Sequence, residues 1–129
     1  YIGDAVMAIW GAPSADKKQA SKACKAALEI KQIIESETDF KIGVGLNYGN
    51  AIVGNIGSSK RYDYTAIGDT VNTASRIEGL TKSLGEGIVV SESVIDKLHN
   101  EKVQFHFNDL GEVVVKGKNI KLHVYGLLS

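Results

Sequence analysis

Five glycines fall within the eighteen residues of "FKIGVGLNYGNAIVGNIG" (40–57), and that density constrains the fold more than any other feature of the chain. Glycine in a strand interior gives up packing surface and backbone entropy, so it belongs where another backbone comes close or a ligand needs room. Ile42, Val44 and Leu46 alternate with the first glycines, the period of a half-buried strand. Asn47-Tyr48-Gly49-Asn50 then reads as a turn into a second strand running through Ile56, so a hairpin is expected. A dinucleotide-binding loop is excluded, because its glycine spacing differs and it must lead from strand into helix. Lys60 and Arg61, just beyond, read as a solvated basic loop.

The remaining pattern interleaves strands and helices. Ala5 to Trp10 is an apolar run closed by Gly11 and Pro13, as in a strand buried on both faces. From Asp16 to Ser36, Ala20, Ala23, Cys24, Ala27, Ile30 and Ile34 form the stripe of an amphipathic helix, capped by Asp16 or Ser14. A second helix is expected over about 70–82, with Asp69 as its N-cap and an apolar arc of Val71, Ala74, Ile77 and Leu80. "GIVVSESVIDKLHN" reads as a buried strand followed by a helix capped by Ser91 or Ser93. Val103, Phe105 and Phe107 alternate as a strand, and "VVVKGKNIKLHVYGL" closes as a hairpin around Gly117 to Asn119. Hairpins dominate the strand connections, so the expected class is α+β: a mainly antiparallel sheet with helices packed on one face.

Bulk properties remove several functions. Fifteen basic and fifteen acidic residues give zero formal net charge, which provides no basic field for a nucleic acid polymer. Cys24 is the single cysteine, so no disulfide framework exists and a reducing, cytoplasmic location is expected. No apolar run approaches the roughly 20 residues of a membrane helix, although an anchor upstream of Tyr1 would be compatible with a cytosolic domain.

Four positions carry candidate chemistry. Asp4 lies in an otherwise apolar run, where a carboxylate needs a partner or a hard cation; an exposed Gly-Asp turn is the alternative. Asn72 and Arg76 stand one turn apart on the second helix, away from its apolar arc. Arg presents a planar fork of donors suited to phosphate, Asn can donate or accept, and the nearby helix N-terminus attracts an anion. A plain Arg76 salt bridge on a solvated face is the alternative. Lys116 ends a strand at the closing hairpin, where it either reaches a ligand or guards a sheet edge. His99, His106 and His123 lack ligand spacing and a carboxylate in local register, so no catalytic role is assigned to them. Cys24 reads as a small buried hydrophobe.

"YIGDAVMAIWGAP", "GVGLNYGNAIVGNIGSSKRYDYTAIGDTVNTASRIEGL" and "VVVKGKNIKLHVYGL" resemble, in order and spacing, the catalytic domain of class III adenylyl and guanylyl cyclases. The likeness spans essentially the whole chain and is closest to bacterial and cyanobacterial soluble homodimeric members. The resemblance implies a ferredoxin-like core related to polymerase palms, with active sites shared between two protomers. It implies conversion of ATP to 3′,5′-cyclic AMP and pyrophosphate with two Mg²⁺ or Mn²⁺ ions. Asp4 matches a metal-binding aspartate. Asn72 matches the asparagine that orients ribose and transition state, Arg76 the arginine at the α-phosphate, and Lys116 the lysine reaching the triphosphate. Thr65 falls at a base-selecting position, where threonine occurs in some bacterial adenylyl cyclases and cysteine in many guanylyl cyclases, so ATP is favoured over GTP.

Two features of the family pattern are not found within the chain. Its first metal aspartate belongs to a motif resembling "DIxGFT", and its other base-selecting residue, lysine or glutamate, would fall just before Tyr1. Residues 1–129 are therefore expected to be a cyclase catalytic domain lacking its N-terminal strand and following helices, inactive alone and fused in full to a regulatory domain. A guanylyl cyclase, or a non-catalytic nucleotide-binding regulatory module, are the alternatives; the second predicts erosion at Asp4, Asn72 or Arg76, and none is seen.

Overall fold

The computed structural model describes residues 17–49, 52–56, 63–115 and 120–128. The expected first strand, with Asp4, lies outside the described residues, and the cap expected at Asp16 or Ser14 is not used, because the first helix begins only after Lys18, which holds its N-cap position. Helix α1 spans Gln19–Glu37, and Ala20, Cys24 and Ala27 from its expected stripe are buried. Ile30 stays exposed, as does Ile33.

Four strands form one sheet in the order β1-β4-β6-β5: β1 Val44–Leu46, β4 Ile88–Ser91, β5 His106–Val115 and β6 Ile120–Leu128. β1 and β4 run parallel, whereas β4–β6 and β5–β6 are antiparallel. The expected hairpin between β1 and the following strand is not formed. β2 (Ile52–Ile56) pairs with β3 (Asp63–Ile67) in a separate antiparallel ribbon, and β1 pairs with β4 instead. The turn-like residues after Leu46 misled because the partner of β1 lies more than forty residues onward in the sequence. β3, in "DYTAI", has the aromatic and β-branched content of a strand, but the adjoining helix signal obscured it.

Helix α2 (Asp69–Gly79) follows β3 directly, and a short helix α3 (Thr81–Leu84) continues it past Leu80. Gly68, at φ 128°, occupies the cap position expected for Asp69, which instead sits in the first turn, where its charge opposes the helix dipole favourably. β4 runs straight into α4 (Glu92–Leu98) with Ser91 at the cap position, and a 3₁₀ segment (His99–Gln104) follows. The strand expected from Val103 begins only at His106. Val103 lies in the 3₁₀ segment and is exposed, while Phe105 turns into the core. The closing hairpin is present, with Val115 opposite Ile120; Lys116 lies outside the described residues.

The α+β class and the mainly antiparallel sheet are thus observed, with one exception to helices on a single face. Ile88 and Val90 of β4 share a core with α1 and α4 through Cys24, Ala27, Val94 and Leu98. Val89 points the other way and packs with Val124 and Ile77 of α2. Alternation along one strand, buried at every position, is what lets α2 occupy the opposite face.

Candidate active site

Helix α2 is held against β1 by absent side chains. A methyl group on Gly45 would stand 2.5 Å from the Ala74 carbonyl and 2.9 Å from Glu78 Cα, closer than real contacts permit. On Gly43 it would strike the Thr81 hydroxyl, and on Gly49 it would lie 2.7 Å from Thr70 Oγ1. Close backbone approach, one of the two roles that the composition of "GVGLNYG" suggested, thus accounts for Gly45, whereas Gly43 and Gly49 leave room for threonine side chains. Thr73 and Ile77 are buried on this side of α2.

Asn72 and Arg76 lie on the other side of α2, Asn72 exposed and Arg76 half-buried. Among the described residues neither side chain has a hydrogen-bond or ion-pair partner. The salt-bridge alternative for Arg76 is therefore not realised there, and a guanidinium and an amide are left one turn apart. Thr65 sits in β3 opposite Gly54, and the chain passes from it through Gly68 into α2, so Thr65 and Asn72 lie on two consecutive elements. Asp4 and Lys116 lie outside the described residues. Among the described residues no group of three or more His, Cys, Asp or Glu side chains is arranged to hold a metal ion. No described helix is long and apolar enough to cross a membrane.

One contact escaped the sequence. The amide nitrogen of Asn47, just after β1, donates to the Thr70 carbonyl at 3.0 Å, and its oxygen accepts from Ser91 Oγ at 2.7 Å and Ser93 Oγ at 3.2 Å. The signal was available only as a polar residue within a glycine-rich turn. His123 also differs from expectation. Its Nε2 lies 2.6 Å from Asp109 Oδ1, its Nδ1 3.7 Å from Glu92, and its ring stacks on Tyr125. Asp109 was not in obvious register because a bulge at Gly111 (φ 80°) shifts β5 by one residue, bringing Asp109 and Glu112 to the side of His123. This cluster lies on the β5–β6 sheet near α4, not on α2.

Comparison with known proteins bears on this geometry. A family model described as the adenylate and guanylate cyclase catalytic domain matches residues 1–129. Adenylate cyclase 1 of Rhizobium meliloti (strain 1021) is 36% identical over the whole chain, which corresponds to 20% of that protein. The adenylate cyclase of Anabaena cylindrica is 35% identical over 97% of the chain and 26% of its own length. The chain thus spans about a quarter or less of these relatives. Among solved structures, the guanylate cyclase domain of RhGC from Catenaria anguillulae, in complex with GTP, superimposes with a TM-score of 0.73 at 28% identity. That likeness covers 92% of this chain and 64% of the other. The catalytic core of a rhodopsin-guanylyl cyclase with converted specificity, in complex with ATPαS, gives the same TM-score and coverage at 30% identity.

Proposed function

Because the chain belongs to the adenylate and guanylate cyclase catalytic domain family, we propose that, within its full-length protein, it forms 3′,5′-cyclic AMP and pyrophosphate from ATP. The observation that carries the site assignment is the Asn72–Arg76 pair on the outward side of α2, which has no partner among the described residues. In this reading the ribose 3′-hydroxyl oxygen attacks the α-phosphorus, a 3′ P–O bond forms, the α–β P–O bond breaks, and pyrophosphate departs with its electron pair. Asn72 orients the ribose. Arg76 offers its fork of donors to oxyanion charge that grows on the α-phosphoryl group, where fixed donors lower a barrier most. Lys116 meets the triphosphate, and Thr65 contacts the base.

Two divalent cations, Mg²⁺ or Mn²⁺, belong to this reading, and when bound they polarise the 3′-hydroxyl and the leaving group. Asp4 is the residue of this chain that would hold them, and its hard oxygen donors suit either ion. The active unit would be a homodimer whose sites draw on both protomers, within a longer protein that regulates it.

GTP is the second reading, favoured by the likeness to guanylate cyclase domains. Purified full-length protein supplied with Mg²⁺ or Mn²⁺ and either ATP or GTP separates the two. Predominant cyclic AMP is expected. Predominant cyclic GMP would transfer the assignment to guanylyl cyclase, and nucleotide binding without any product would favour a regulatory module.

A further inference from the structure

We infer that Asn47 is a positioning residue for the candidate active-site helix, acting through the Thr70 carbonyl rather than through contact with substrate. The inference rests on the cyclase reading for its effect on activity, though not for its effect on α2. Its geometry is specific. The three partners fix the orientation of the Asn47 amide: a carbonyl can only accept, so the NH₂ faces Thr70, while the hydroxyls of Ser91 and Ser93 can donate to the oxygen. Ser91 is fully buried and stands at the junction between β4 and α4. The neighbouring backbone is pinned to the same place, with the Tyr48 N–H donating to Ser93 Oγ at 3.3 Å and the Lys97 ammonium 5.3 Å from the centre of the Tyr48 ring. Residues 47–49 therefore form a strut from the start of α4 to the first turn of α2.

That first turn receives an anchor from outside the helix. Its N-cap is Gly68, which has no side chain of its own to accept from a first-turn N–H. Deeper in the helix, burial of Ile77 and the close approach of Gly45 to Ala74 and Glu78 hold the backbone. Thr70 lies two residues before Asn72, and Asn72 has no side-chain partner of its own among the described residues. The placement of Asn72 is thus inherited from the backbone that Asn47 holds. A displacement of about 1 Å in a positioning group can cost on the order of 10²-fold in rate, which is ample leverage for a single tether.

The test uses the protein at its natural length, with Asn47→Ala, Asn47→Asp and Ser93→Ala. Asn47→Asp keeps the size and the acceptor for both serines but sets a carboxylate oxygen against the Thr70 carbonyl. In each Asn47 variant kcat should fall about 10- to 100-fold while KM for nucleotide changes less than about threefold. Combined with Asn72→Ala, the Asn47 substitution should cause little further loss, because both act at one point. Hydrogen exchange gives a readout that needs no activity: the Asn72 amide, bonded to Gly68 O at 3.1 Å, should exchange about tenfold faster, with β4 unchanged. Should Asn47→Ala fail to fold, Asn47→Asp and Ser93→Ala carry the same measurements. Unchanged exchange at Asn72, or losses that multiply independently in the Asn72→Ala background, would overturn the inference. Faster exchange in a protein that makes no cyclic nucleotide would support the tether and overturn the proposed function.

Discussion

Gly45 of β1 and Ala74 of α2 approach so closely that a single added methyl would come within 2.5 Å of the Ala74 carbonyl oxygen. The obstacle is backbone on both sides, so relief requires α2 to move. Gly45→Ala should therefore destabilise the protein by about 1–3 kcal/mol, the usual cost of overpacking, and lower turnover by shifting Asn72 and Arg76. Gly79, at the end of the same helix, would meet nothing within 4 Å. Gly79→Ala should be neutral or stabilising by up to about 1 kcal/mol. Denaturant titration of both variants checks the contrast, and equal effects would remove the close approach as the cause.

Cys24 is completely buried in α1, and burial pushes its thiol up to about 12. Thiolate is the reactive form, so at pH 8 the native thiol should react with a disulfide reagent at least about 10³-fold slower than in the unfolded chain. Time courses with and without urea test this. Comparable rates would mean that the helix opens freely around Cys24.

His123 should make stability depend on pH. Its hydrogen bond to Asp109, aided by the charges of Asp109, Glu92 and Glu112, raises its pKa above the ordinary 6.5. The Gly111 N–H, and then His123, hold Asp109 below its ordinary 3.8. A raised imidazole favours folding fully below 6.5, and that contribution disappears as pH climbs through the higher folded value. The lowered carboxylate contributes above 3.8 and loses its effect as pH falls through the lower folded value. Both contributions therefore coexist between 3.8 and 6.5. The melting temperature of His123→Gln should fall furthest below that of the unsubstituted protein in this interval, and the gap should close at alkaline pH. A gap independent of pH would assign His123 to packing against Tyr125 alone.

Local signals carried the parts of the fold that depend on local physics. The apolar arc of α2, the stripe of α1 and the fully buried β4 followed from period and composition, and so did the outward position of Asn72 and Arg76. Pairing did not follow, because a turn beside a strand looks the same whether the next strand folds back or departs. β1 found β4 rather than β2, and β2 found β3. The tether from Asn47 spans 23 residues to Thr70 and 44 to Ser91, and no periodicity encodes such a contact. The Asp109–His123 pair was hidden by one bulged residue, which changes which side chains share a face.

Shared sites give the most direct test of assembly. If Asp4 serves a site whose Asn72 and Arg76 come from the other protomer, the active unit is an isologous dimer with two equivalent composite sites. Arg76→Ala alone should lower turnover by roughly 10²–10³-fold, as for loss of one oxyanion donor, and Asp4→Asn should be at least as damaging. Mixing the two inactive proteins in equal amounts, with subunit exchange, makes half the dimers mixed. Each mixed dimer holds one intact site and one that carries both changes. Activity should then return to about a quarter of the unsubstituted level per total protein. Exchange can be followed separately by energy transfer between labelled protomers. A mixture that exchanges fully yet stays inactive would show that Asp4 and Arg76 serve the same protomer, and would overturn the shared site.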